Sequence, residues 1–304
     1  MRRANRSSRD ISAVAFVLAL LCAGTGLARA DEAADASGAS LQARYVQLRE
    51  QLANNQFRRP LYLESSESQS EVAGDLYALV GSPFESAATS LGVAGDWCDI
   101  LILHINNKGC RVTAANQGTV LSLWIGAHHQ QALADASQVD FAYRVAAASA
   151  KYLQIALSAG AGPMDTRDYR MTLEAIPVEG GKTFIHLRYS YGYGNFGRLA
   201  MQTYFATLAR NKVGFTVVGV QPDGERRYIG GMRGLVERNA MRYYAAIEAY
   251  LGAQSTSPQA RFEKRIQDWF AMIELYPRQL HEVEQGEYLE MKRMENLRKQ
   301  AGPA

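Results

Sequence analysis

Residues 74–85 read Gly74-Asp75-Leu76-Tyr77-Ala78-Leu79-Val80-Gly81-Ser82-Pro83-Phe84-Glu85, and Trp97-Cys98-Asp99 follows shortly after. The first part is a strand, 71–80. It runs through a small-residue and proline turn into a short helix, Pro83–Leu91, whose proline occupies the start, where a missing N–H costs nothing. Outward from this segment, apolar residues recur with a period of two from Pro60 to Gly219, the mark of a sheet. The spacing predicts strands near 60–66, 71–80, 100–106, 119–126, 138–149, 152–160, 168–177, 182–192 and 213–219. Asn107-Lys108-Gly109 and Glu179-Gly180-Gly181 supply turn residues for hairpins.

One face of that sheet is expected to be apolar, with Leu76, Leu101, Leu103, Ile105, Leu121, Ile155, Leu173 and Leu187 among its members. The other carries Ser122, Asp140, Arg144, Gln154, Arg170, Thr172, Glu174, His186 and Arg188, as in an antiparallel sheet wet on one side. A helical segment around 196–210 interrupts the run. Residues 232–251 then give the strongest helical signal, a stripe of Met232, Leu235, Val236, Asn239, Tyr243, Ile247, Tyr250 and Leu251 that must lie across the apolar face.

The flanks differ in character. Residues 31–40 read as a polar, unstructured leader and 41–59 as an N-terminal helix, with Leu41, Tyr45, Leu48 and Leu52 at helical spacing. The stretch 253–258 is a linker, and 253–304 as a whole is a charged helical tail. Phe262, Ile266, Trp269, Phe270 and Ile273 form one of its faces, and Pro277 breaks it. Such a tail packs back on its own domain or captures a partner through 260–300.

In layout, and in the 74–85 and 97–99 segments, residues 60–252 resemble the helix-grip fold of the START-like (SRPBCC) superfamily. That superfamily includes steroidogenic-regulatory-related lipid transfer domains, the pollen allergen group and polyketide cyclases. The resemblance implies an α+β domain in which a curved antiparallel sheet and a last long helix enclose an elongated cavity for a hydrophobic ligand. Polar groups in such a cavity would be Tyr143, Tyr189 and Tyr191 from the sheet and Asn239 and Tyr243 from the helix. The alternative for each tyrosine is a packed core residue with its hydroxyl at the rim.

The first thirty residues have the three parts of a secretory signal. Arg2, Arg3, Arg6 and Arg9 precede an uncharged run, Ile11–Leu21, too short to span a bilayer, and Ala28-Arg29-Ala30 offers a cleavage site between Ala30 and Asp31. Cys22 follows a leucine where lipoprotein processing needs a small residue, and Ala4-Asn5 spoils a twin-arginine reading. Five of the 33 basic and one of the 30 acidic residues leave with the signal, so the net charge of +3 becomes about −1. No basic stripe with interleaved aromatics marks a nucleic-acid surface, and no later stretch is apolar enough to cross a membrane. The expected location is the periplasm.

Cys98 and Cys110 then form an even pair in an oxidising compartment; a disulfide between them is one reading, two buried free thiols the other. No nucleophile elbow, P-loop or dinucleotide fingerprint occurs. His281-Glu282 lacks the second histidine of a zinc helix, the adjacent His128-His129 pair cannot easily chelate one ion, and His104 and His186 fall on the polar sheet face. Neither metal nor cofactor is expected. The leading functional reading is a periplasmic carrier of a hydrophobic small molecule or lipid. The alternatives are an envelope adaptor acting through its tail and a cavity enzyme of cyclase or hydrolase type.

Overall fold

The computed structural model describes residues 34–116, 118–194 and 211–301. The expected signal segment with Ala30 and Asp31, and the helix expected around 196–210, lie outside them. Helix α1 covers 34–53. Strands β1 (Leu61–Glu67) and β2 (Glu71–Val80) lead into helices α2 (Phe84–Leu91) and α3 (Ala94–Leu101). Strands β3 (Asn107–Ala115), β4 (Gly118–Ile125), β5 (Ser137–Ala148), β6 (Leu153–Ala161), β7 (Thr166–Val178) and β8 (Lys182–Tyr193) follow as a meander. A separate hairpin, β9 (Val217–Val220) and β10 (Arg226–Tyr228), precedes helix α4 (Gly231–Gly252). The tail is α5 (Pro258–Ile273), a single turn α6 (Pro277–Leu280) and α7 (Gln285–Ala301).

The eight strands of the large sheet run in the order β1-β2-β8-β7-β6-β5-β4-β3, every neighbouring pair antiparallel. Helices α2 and α3 carry the chain from β2, near one edge, to β3 at the other. Helix α4 lies across the inner face, against β2, β1 and β8. This is the α+β helix-grip arrangement: a curved antiparallel sheet closed around one long helix. Among the described residues no helix is long and apolar enough to cross a membrane.

Several sequence expectations give way. The run 100–106 is not a strand, and Leu101, Leu103 and Ile105 are not on the sheet: Leu101 ends α3 and the others lie in turns before β3. Ile100 to Ile105 are buried on every side, because the tail covers them from outside, with the Tyr288 hydroxyl donating to Leu103 O at 2.8 Å. A run buried all round has no polar face, so periodicity cannot separate helix end from strand. Asn107-Lys108-Gly109 therefore opens β3 instead of turning a hairpin, and Cys98 in α3 is bonded to Cys110 in β3, with Cα atoms 5.3 Å apart. The bond ties a helix to a strand. The expected strand 213–219 is reduced to β9 in the small hairpin, although Phe215 does reach the core. Gly180 and Gly181 do turn the β7–β8 hairpin, with φ of 75° and 66°.

The tail packs back. Ile266, Trp269, Phe270 and Ile273 are buried in the main core, and Trp269 Nε1 donates to Arg242 O at 3.1 Å. Helix α4 is therefore covered on both sides, and Glu237, Arg238 and Arg242 are as buried as its apolar stripe. Glu237 bridges elements: its carboxylate accepts from Phe215 N at 2.6 Å, Thr216 N at 2.9 Å, Thr216 Oγ1 at 2.6 Å and Ser65 Oγ at 2.6 Å. Each donor left without a partner in such a place costs about 1–3 kcal/mol. Glu237→Leu is expected to destabilise by about 3 kcal/mol or more in urea unfolding, and Glu237→Gln, which keeps an acceptor oxygen, by clearly less.

The outer face is not uniformly wet. Helix α1 starts at 34, within the stretch expected to be an unstructured leader, and ends at 53 instead of 59. Ala34, Leu41, Tyr45, Leu48 and Leu52 bury a second core with Tyr77, Tyr152, Ile176 and Phe184 of the sheet. Tertiary packing on those rings orders a sequence that is only polar when read alone. At the edge of this layer His186 joins two carboxylates, Nε2 to Asp75 Oδ1 and Nδ1 to Glu174 Oε2, each at 2.8 Å, and stacks on Tyr77. Burial pushes the His186 pKa down, but the hydrogen bonds to Asp75 and Glu174 outweigh it and leave it raised. Burial pushes both carboxylates up, yet His186, with Arg188 on Asp75 and Tyr152 on Glu174, leaves them lowered.

The histidine's contribution to stability is complete below its ordinary value and is lost as pH rises through the raised one; the carboxylates' contribution is complete above their ordinary value and is lost as pH falls through the lowered ones. All three contribute fully between about pH 4.5 and 6.5. The stability difference between the wild type and His186→Gln is thus expected to be largest near pH 5.5 and to shrink toward alkaline pH. Urea midpoints across that range check this, and a difference independent of pH would contradict it.

Candidate functional site

Between the inner face of the sheet and α4 lies a cavity of about 160 Å³. It forms where β7 and β8 present Tyr169, Tyr189 and Tyr191, α4 presents Leu235, Asn239 and Tyr243, and the turns after α3 and the start of β3 present His104 and Asn107. Its mouth is the β6–β7 turn, Pro163 and Met164, where Met164 and Asp165 both hold φ of 59°, in the left-handed region that costs a side-chain-bearing residue strain. Just before them, a Cβ on Gly162 would stand 2.3 Å from Tyr169 Cε2, so only glycine lets that ring reach the cavity wall.

Four of the five residues expected from the sequence meet here: Tyr189, Tyr191, Asn239 and Tyr243. Tyr143 does not. It sits further along β5, donating to Leu91 O at 3.4 Å, with its phenol pushed up to about 12 by burial and the charge of Asp96. It packs as a rim residue against α2.

His104 is the member that sequence reading misplaced. With Leu103 and Ile105 off the sheet, it leaves the polar face and becomes a buried residue, 3% exposed, its ring 4.7 Å from that of Tyr243. Burial, then the charges of Arg242 and Lys292, depress its pKa well below the ordinary value, so the imidazole is neutral. Asn106 N donates to its Nδ1 at 3.2 Å, making Nδ1 the acceptor and placing the proton on Nε2. That Nε2–H makes no hydrogen bond of good geometry, and Asn239 is the side chain that approaches it. The Tyr191 hydroxyl is likewise buried without one, its pKa raised by burial. The only hint in the sequence was a lone histidine inside an apolar run.

The site thus offers two buried donors, an N–H that Asn239 approaches without a well-formed bond and an O–H without a partner, in a pocket otherwise walled by aromatic rings. Orphan buried polar groups are rare and call for an explanation. Tyr243 and Tyr189 are also pushed up by burial and remain protonated. The arrangement suits binding an acceptor oxygen on an apolar body. Among the described residues no group of three or more His, Cys, Asp and Glu side chains could hold a metal ion.

No family model matches the sequence, and no curated protein matches it. Similar solved structures include a point mutant of norcoclaurine synthase from Thalictrum flavum, in complex with a transition-state analogue. That chain is 12% identical, with 47% of this chain and 91% of that one covered and a TM-score of 0.32. A conserved protein from Geobacillus kaustophilus is 12% identical over 59% of this chain and 95% of its own, at 0.34. Ara h 8.0201 is 11% identical over 64% and 99%, at 0.34. Similarity at this level carries no argument about ligand or chemistry. The helix-grip assignment rests on the strand order and the helix across it, and the site on its own residues.

Because the Tyr191 hydroxyl is unpartnered in the empty protein, removing it relieves a desolvation cost. Tyr191→Phe is expected to raise the stability of the ligand-free protein by about 1 kcal/mol, read as a shift in urea midpoint. A destabilised variant would show that the hydroxyl has a structural partner.

Proposed function

We propose that this protein is an exported carrier of a compact hydrophobic molecule, held in the cavity between sheet and α4 by an oxygen that accepts from His104 Nε2 and the Tyr191 hydroxyl. The observation that carries this reading is the pair of buried donors, neither with a well-formed hydrogen bond, on one aromatic-walled cavity. A cavity of about 160 Å³ matches a single ring, the size that binds benzene in engineered apolar cavities, and falls short of the roughly 300–1,000 Å³ usual for larger ligands. A ring-sized carbonyl or ether compound therefore suits this cavity better than an acyl lipid does. Export to the periplasm is supported by the arginine-rich start, the short apolar run and the Ala28-Arg29-Ala30 site, together with a Cys98–Cys110 bond of the kind that persists in oxidising compartments. The adaptor reading loses the apolar face of α5, which is buried against α4, and keeps only Met294 and Leu297 as large exposed apolar side chains of α7.

The test is calorimetric titration of residues 31–304 with acetophenone and with ethylbenzene, which share a ring and differ in the acceptor oxygen. Acetophenone is expected to bind about tenfold or more tightly, and His104→Leu with Tyr191→Phe to abolish the preference. Equal affinities, or a preference that survives both substitutions, would overturn the reading.

A further inference from the structure

A groove of about 760 Å³ lies between β3–β4 and α7, lined by Lys108 to Val112, next in sequence to the cavity-lining His104 to Asn107. Unlike the cavity, it has the volume of an ordinary ligand site. Its apolar surface comes from Val112, Trp124, Leu133 and the Cys98–Cys110 bond. Its charged surface is one-sided: Lys299 pairs with Asp99 outside the groove, and Lys108, Arg111 and Arg298 face a single lining carboxylate, Glu295.

The imbalance runs into the core. Asn107 pairs with Ile125 and Gly109 with Trp124, leaving Lys108 as a bulged residue turned toward α7. There Lys108 and Lys292, both with fully buried side chains, share the one carboxylate of Glu295, at 3.4 and 2.8 Å. Lys108 Nζ also donates to Ile105 O at 2.9 Å, and Lys292 Nζ to His104 O at 2.8 Å and Asn107 O at 3.0 Å. Two buried ammonium groups on one carboxylate leave a positive charge uncompensated, a costly arrangement without a counter-ion. Burial, then Lys292, pushes the Lys108 pKa down to about 8, and Arg298 bears on both lysines. At the rim, Arg298 donates only to a backbone carbonyl, Gln131 O at 3.1 Å, and Arg111 stacks over Trp124, its Cζ 5.5 Å from the ring centroid. Neither has an acidic partner among the described residues.

We propose that this groove is a second ligand site, for an amphiphile with one apolar chain and a carboxylate, the chain lying on Trp124, Leu133 and Val112 and the carboxylate on Arg298 and Arg111. Charge complementarity selects the anion: a neutral chain would fill the apolar floor and leave the arginines and the excess ammonium charge unanswered. A carboxylate there supplies the missing counter-charge within reach of the Lys108–Glu295–Lys292 cluster.

Trp97 and Trp269 are buried, at 0% and 1% exposure, so Trp124 is the tryptophan whose fluorescence reports on the groove. Sodium decanoate and 1-decanol are titrated into residues 31–304 with that readout and by calorimetry. Decanoate is expected to bind about tenfold or more tightly than decanol, and Arg298→Gln or Arg111→Gln to remove most of that advantage. Both arginines lie at the rim, so these variants are expected to fold. The doubly substituted cavity variant, His104→Leu with Tyr191→Phe, is expected to keep decanoate binding. No saturable decanoate binding, equal affinity for decanol, or indifference to both arginine substitutions would overturn the proposal. So would loss of decanoate binding in the cavity variant, which would place the chain between sheet and α4.

Discussion

Arg242 of α4 is 2% exposed in its side chain, and its guanidinium meets Glu282 of the tail at 2.7 Å. Its own carbonyl accepts from Trp269 of α5, so one residue fastens the gripping helix to the layer behind it at two points. Glu282 gathers two further partners, His128 at 3.0 Å and Lys212 at 2.6 Å; burial alone would raise its pKa, but the hydrogen bond from His128, with Arg242 and Lys212, leaves it far below the ordinary range. A buried ion pair is weak evidence of net stability, but removing one partner strands the other, and this makes the docking of the tail specific. The same Arg242 charge helps keep His104 neutral. Holding the helix and setting the protonation of the site are thus two effects of one buried cation.

That double coverage explains what could and could not be read from the chain. The meander from β4 to β8 was legible because each strand keeps one apolar face, and the alternation survives burial of that face alone. The stripe on α4 was legible for the same reason, and it led to Asn239 and Tyr243. Where the fold buries a segment on all sides the period vanishes, so 100–106 looked like a strand and His104 looked like a surface residue. Helix α1 shows the converse. Its apolar positions from Leu41 onward were visible, but nothing in the sequence said that it would cover the outer face over Tyr77 and Phe184, which turns His186 from a wet histidine into a member of a buried ionic cluster. Tyr143 failed for a simpler reason. Being on the correct face fixes direction but not position along the strand.

The lysine cluster was invisible in sequence because its members are brought together by the tail. Lys108 sits in a bulge that no periodicity announces, and Lys292 and Glu295 read as the solvated face of a charged helix. Three charges that would each be unremarkable at a surface become, once α7 closes over β3, an unbalanced group inside the protein. Helix α7 tolerates this because Lys292 caps the carbonyls of His104 and Asn107. Those acceptors flank the turn where the chain enters β3; His104 O also accepts from Asn107 N at 3.0 Å, and the lysine ties both ends of that turn to the tail.

Cavity and groove therefore share a wall. Lys292 bonds to the carbonyl of His104, whose ring faces the cavity, while Lys108 and Glu295 face the groove. Lys292 is itself one of the charges that depress the His104 pKa. In a medium of low effective dielectric an added charge is felt over such distances. An anion in the groove favours the charged form of Lys108, whose pKa rises, and weakens the positive field that Arg242 and Lys292 impose on the imidazole. By linkage the effect is mutual: whatever proton affinity His104 gains from the anion, the anion gains in affinity from a protonated His104.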